Sequence, residues 1–111
     1  MEYQEYFNKE EALHRVRGNE KTLRLMINMF LSSKEIVKLE ECFAANDIEG
    51  AAQMAHAVKG LSGNLSFPLL YKVSDQLNQE LKQQQLNEET VAEYRRILEA
   101  TQTAAKALCE I

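Results

Sequence analysis

A single proline, four glycines and no tryptophan occur in the 111 residues. So few breakers leave long stretches free to be helical, and little in the pattern competes as strand. Cysteine occurs twice, at Cys42 and Cys109, with no C-x-x-C pair and no zinc-ligand spacing. Free thiols in a reducing cytosol are the expectation, with neither a disulfide framework nor a metal site. No apolar run approaches the roughly 20 residues needed to cross a bilayer, so membrane insertion is not expected. The start, Met1-Glu2-Tyr3-Gln4-Glu5-Tyr6, is acidic and polar, unlike a signal peptide. A cytoplasmic location is the expectation. Basic charge is short: 13 Lys and Arg against 17 Asp and Glu give a net charge of −4. A protein that neutralises phosphates concentrates Lys and Arg on one face, so no nucleic-acid partner is expected. No G-x-x-x-x-G-K-[ST] loop and no carboxylate cluster for Mg²⁺ occur either, which argues against self-phosphorylation from ATP.

What remains is ordinary globular composition, 45% hydrophobic and 27% charged. The length suits a single domain, 1–111, with a core of its own. Residues 3 to 8 read as a short lead-in helix or an arm. Asn8 caps a helix of about two turns with Glu11 completing a capping box, and Gly18 closes it. From Glu20, capped by Asn19, Leu23, Met26, Ile27, Phe30 and Leu31 follow helical spacing. Ile36, Val37, Leu39 and Phe43 continue it, which predicts one helix from 20 to about 45, with a break at Ser32-Ser33 as the alternative. Asp47 caps a helix from 48 to 64. Pro68 opens the next, with Leu70, Val73, Leu77 and Leu81 inward. Asn87 caps the last, with Val91, Tyr94, Leu98, Ala105 and Leu108 as its stripe. Short connections between long helices predict an all-α fold, an antiparallel up-down four-helix bundle with a short additional N-terminal helix. A monomer can bury all four stripes, whereas a dimeric helical hairpin is the alternative.

The helix from 48 to 64 is unusual. It carries Gly60 and Gly63 in its interior, each costing about 1 kcal/mol against alanine. On a helical wheel of about 100° per residue, Ala51, Met54, Val58, Leu61 and Leu65 share one apolar face. His56 points away from it. Around the imidazole stand Ala52, Gly60 and Gly63, with Lys59 one turn on. Two readings fit. In one, the glycines are packing points beside an ordinary surface histidine. Alternatively, the stripe has been cleared so that another macromolecule can bring a reactive group to the ring, with the Lys59 ammonium placed to favour a phosphoryl group.

The stretch Ala55-His56-Ala57-Val58-Lys59-Gly60, followed by Asn64-Leu65, resembles the phosphorylation motif of histidine-containing phosphotransfer (HPt) domains. The family pattern is roughly A-H-x-(aliphatic)-K-G-x-x-x-N-(aliphatic)-G, and the flanking helices extend the resemblance over most of the chain. The resemblance implies a monomeric four-helix bundle with an extra N-terminal helix. It implies His56 as the phosphorylation site, Lys59 as the stabilising cation, and Gly60, Gly63 and Ala52 as access residues. The implied partners are response-regulator receiver domains and a hybrid sensor histidine kinase. The chain would have no cofactor of its own, and Mg²⁺ would sit on the receiver. His56 would accept a phosphoryl group from a receiver aspartate and pass it to another receiver. The sequence departs from the pattern at Ser66, where glycine is common, at Phe67, where a small residue is common, and near Asn78, where an acid is common. These bear on the turn after the histidine helix and on partner choice.

Other residues offer less. His14 has no cleared surroundings and reads as a plain surface or capping residue. Cys42 lacks a histidine to activate it and reads as a small core filler. Phe67 reads as core or as an edge contact. The rival function is a phosphorylation-independent helical adaptor that binds partners without the chemistry. The dimerising part of a sensor kinase is a third reading, and it would need an ATP-binding domain that this length cannot hold.

Overall fold

The computed structural model describes residues 3–110, so Met1 and Glu2 of the acidic start and the final Ile111 lie outside it. The chain is all-α, with no strand among the described residues, as the scarcity of breakers predicts. Seven helical segments follow in order among the described residues: α1 (Tyr3–Tyr6), α2 (Lys9–Arg15), α3 (Glu20–Leu31), α4 (Lys34–Ala44), α5 (Ile48–Leu65), α6 (Pro68–Lys82) and α7 (Glu88–Cys109). None is long and apolar enough to cross a membrane.

Capping chemistry sets most of the boundaries. Asn8, Asn19, Asp47 and Asn87 each accept a backbone N–H from the first turn of the helix they precede. Pro68 takes the first turn of α6, where its missing N–H leaves no bond unmade. At the end of α2 the left-handed turn uses two residues, Arg17 and Gly18. The Gly18 N–H reaches the Leu13 carbonyl and the Arg17 N–H reaches that of His14, so Arg17 takes the first left-handed position and Gly18 the second.

The single helix expected from 20 to 45 is broken. Ser32 and Ser33 separate α3 from α4. The Ser32 hydroxyl donates to the Asn28 carbonyl at 3.0 Å, competing with the helix ladder. Ser33 turns extended, and its hydroxyl accepts from Ile36 N at 3.4 Å while donating to Glu35 at 2.9 Å. Two adjacent hydroxyls thus stop one helix and cap the next. The break also rephases the apolar stripe: Ile36, Leu39 and Cys42 are buried, whereas Val37, expected inward, is exposed. Ser33→Ala should lower the unfolding free energy by about 1 kcal/mol. A urea titration would read this as a lower midpoint at unchanged slope. An unmoved midpoint would mean that packing alone holds the break.

Both pieces still run beside α7. Arg24 reaches Glu110 at 3.7 Å, Arg95 reaches Glu40 at 2.8 Å, and the Phe43 and Tyr94 rings meet edge to face at 6.2 Å. Residue numbers rise on one side as they fall on the other, so α3 and α4 together lie antiparallel to α7. The same pattern sets α6 against α5, through Lys59 with Asp75 and Ala52 with Asn78.

The core gathers one buried seam from each of α3 to α7, with Ala12 of α2 beside them. At one end Phe67 is fully buried, with Phe7 edge-on at 5.3 Å and Phe30 tilted against it at 4.7 Å. Phe67 is therefore core and not an edge contact. The N-terminal segment closes this end. Asn8 N donates to the Ser66 carbonyl at 2.9 Å, and the Ser66 hydroxyl donates to Glu11 at 2.7 Å. Only half of the expected capping box forms, because the Glu11 carboxylate reaches across to Ser66 and not back to Asn8.

Candidate functional site

Helix α5 lies between α4 and α6 and packs closely against both. Its buried seam is Ala51, Ala55, Val58, Ser62 and Leu65, spaced alternately by four and three residues. The large residues Met54 and Leu61, expected on the apolar face, are only half-buried on its flank. A helix wedged between two neighbours needs small residues where backbones approach, and Ala55 and Ser62 supply them. Ser62 satisfies its own hydroxyl by donating to the Val58 carbonyl at 2.7 Å.

That seam turns His56 outward. The imidazole is exposed, and Gly60 and Asn64, at successive turns, are exposed along the same stripe. A Cβ built on Gly60 would touch nothing within 4 Å. Gly60 therefore serves no helix packing, and it leaves open space one turn from the ring. Gly63 differs. A Cβ there would meet the Tyr71 ring of α6 at 3.4 Å, so Gly63 seats an aromatic ring as well as thinning the surface. Ala52 is half-buried, and its carbonyl accepts the Asn78 side-chain amide at 2.7 Å.

Lys59 is not free. Its Nζ lies 3.0 Å from Asp75 Oδ1 and 5.5 Å from the centre of the Tyr71 ring. The hydrogen bond to Lys59 holds the Asp75 carboxyl below its usual range, and the same bond raises the Lys59 ammonium. Gln79 also donates to both Asp75 oxygens, at 3.3 and 3.4 Å. No motif or local spacing marks Asp75 or Tyr71 as part of this site. Their signal lies in the turn: once Ser66-Phe67 folds α6 back along α5, Tyr71 falls opposite Gly63 and Asp75 opposite Lys59.

Beside α5 a groove of about 280 Å³ is lined by Met26, Met29, Leu61 and Asn64, among others. Met29 is 71% exposed, and Leu25, one turn earlier on α3, is 58% exposed. The exposed end of the histidine stripe thus meets an apolar surface.

The model of the Hpt domain family matches residues 25–104. The chain belongs to the Hpt domain family. No curated protein and no solved structure matches it. Hpt domains serve histidine phosphotransfer in two-component signalling, in company with receiver domains and kinases. The matched segment runs from the middle of α3 to near the end of α7 and contains all of α5 and α6.

The structure explains the departures from the Hpt pattern. Ser66 has φ 63°, a left-handed conformation that glycine adopts without strain. Here its hydroxyl and carbonyl both bond to the N-terminal segment, which offsets the strain of a side chain in that conformation. Phe67 fills the core end between Phe7 and Phe30. Asn78 is buried and ties α6 to α5 through Ala52 without needing a charge.

The remaining candidates lie elsewhere. His14 is exposed in a surface groove with Glu10, Glu11 and Arg17, away from the α5 stripe. Burial, and next the Asp47 charge, push the Cys42 thiol up, the opposite of an activated nucleophile. Among the described residues no three His, Cys, Asp or Glu side chains gather as a metal ligand set.

Proposed function

We propose that His56 accepts a phosphoryl group from a receiver-domain aspartyl phosphate and passes it to a second receiver domain. The observation that carries this is the open ground around an exposed imidazole: Gly60 leaves empty space beside a ring that the bundle turns outward. Membership of the Hpt domain family supports the same chemistry.

In the proposed step the lone pair of one His56 ring nitrogen attacks phosphorus in line. The N–P bond forms as the P–O bond to the partner aspartate breaks, and that electron pair leaves on the carboxylate. The other ring nitrogen keeps its proton or releases it to water. Lys59 offers an ammonium to the transferred oxygens. The proposal puts the Mg²⁺ on the receiver, bound with the aspartate. The receiver would rest on the apolar surface of Leu25, Met29 and Leu61 while its active-site loops enter over Gly60.

The test is label transfer from phosphorylated receiver domains in Mg²⁺. Acid-labile, alkali-stable label should move onto the chain, and mass spectrometry should place it on His56. Label on His14 would relocate the site. No label from any receiver of the source organism would leave the adaptor role. Gly60 offers a second check. Gly60→Gln should stabilise the helix by about 0.5 to 1 kcal/mol, since glycine is the poorer helix former and nothing blocks a side chain. The same substitution should slow transfer from a receiver at least about tenfold, because a misplaced reacting group loses rate steeply. A stabilised variant with unchanged transfer would refute the access role of Gly60.

A further inference from the structure

Lys59 stands beside the nucleophile, yet its ammonium is already engaged. Asp75 holds it at 3.0 Å, and the Tyr71 ring lies beneath it at 5.5 Å. A phosphoryl group on His56 would sit on the same helix face three residues away, within reach of the same lysine side chain. One ammonium then faces two anions: a carboxylate on α6 and a phosphoryl group on α5. The phosphoryl group carries more negative charge and more acceptor oxygens.

Asp75 is built to survive losing its partner. Gln79 donates to both of its oxygens, and the Lys82 charge also favours its ionised form. Withdrawing Lys59 therefore leaves no orphaned carboxylate. The Tyr71 ring also has a second neighbour, since it lies over Gly63, where an added Cβ would meet it at 3.4 Å. The pair is only partly exposed, with side-chain accessibilities of 28% for Lys59 and 34% for Asp75. It is thus an ion pair formed across two helices at the edge of the site, with a relief partner on one side and a substrate position on the other.

We propose that Asp75 is a positioning residue that holds Lys59 away from His56 in the unmodified protein and yields it to the phosphoryl group on modification. This rests on His56 being the phosphorylated residue. Asp75 then opposes phosphorylation, both by occupying the ammonium and by adding a negative charge near the incoming group. Lys59 leaves the Tyr71 ring as it changes partners, so the surface beside His56 differs between the two states. A receiver that docks there meets a lysine on Tyr71 before transfer and a bare ring after it.

The experiment uses the full chain and phosphoramidate, a small donor that transfers its phosphoryl group to imidazole with release of ammonia and needs no partner protein. Phosphorus NMR would follow the formation of phosphohistidine and, after donor removal, its hydrolysis. Four proteins are compared: wild type, Asp75→Asn, Lys59→Gln and the double variant. Asp75→Asn should speed formation and slow hydrolysis by about two- to fivefold, the range that an exposed ion pair supports. In the Lys59→Gln background the same substitution should change little, because Asp75 acts through Lys59. Unchanged rates in Asp75→Asn, or slower formation, would overturn the exchange. An effect of equal size without Lys59 would do so as well, since it would reduce Asp75 to a bystander charge. Wild type that takes no phosphoryl group on His56 would overturn the phosphocarrier reading itself, and the exchange with it. Wild type that is modified while the variants match it would overturn only the exchange.

Discussion

His56→Gln is expected to remove phosphoryl acceptance entirely while leaving the bundle intact. The side chain is exposed on the outer face of α5, so the substitution deletes no core contact. Glutamine is a good helix former, and a surface change of this kind shifts stability by no more than about 0.5 kcal/mol. The chemical change is total, since an amide nitrogen has no lone pair available to attack phosphorus. Label transfer from a phosphorylated receiver should therefore fall to background, with an unchanged urea midpoint and an unchanged circular dichroism spectrum. Lys59→Gln should weaken acceptance without abolishing it, because the cation stabilises the transferred group but forms no bond to phosphorus. Retained acid-labile label on the His56→Gln protein would move attention to His14. Loss of label together with loss of helicity would show that His56 has a structural duty its exposure does not suggest.

Phe67→Ala is expected to be the most damaging single change to the fold. The ring is fully buried and touches both Phe7 and Phe30, so it joins the N-terminal segment, α3 and the start of α6. Truncating such a ring costs about 3 to 5 kcal/mol, as lost transfer energy plus the cavity left behind. A domain of this size has only about 5 to 15 kcal/mol in total. Thermal unfolding should drop by roughly 10 to 20 °C. Phe67→Leu should fall between alanine and wild type, because it restores part of the volume. A loss below about 1 kcal/mol in the alanine variant would mean that this end of the bundle repacks freely. The contrast with His56 is diagnostic: one position should change chemistry with the fold held, and the other the fold.

Much of this architecture was legible along the chain. Asn8, Asn19, Asp47, Asn87 and Pro68 mark helix starts because capping depends on residues within one turn of each other. The outward direction of His56 and the small residues near it also follow from local spacing. Where two local signals conflicted, the reading failed. Ile36 through Phe43 continue the apolar period of α3, and that continuity outweighed two serines that in fact bond to the backbone and divide the helix. On the helical wheel Met54 and Leu61 share the core face with Ala51, Val58 and Leu65. In the bundle the small Ala55 and Ser62 hold that place, since close approach of two neighbouring helices selects for size before hydrophobicity.

The sequence by itself determined that this chain is helical, where most helices begin, and which histidine stands on cleared ground. Each of these depends on residues a few positions apart. Tertiary structure decided what stands opposite them. It set Gly63 under Tyr71 while leaving Gly60 open, placed Met29 and Leu25 on the surface near the histidine stripe, and gave Lys59 to Asp75. Those relations join residues on different helices. They depend on the crossing and register of α3, α5 and α6, which arise from packing the whole core at once.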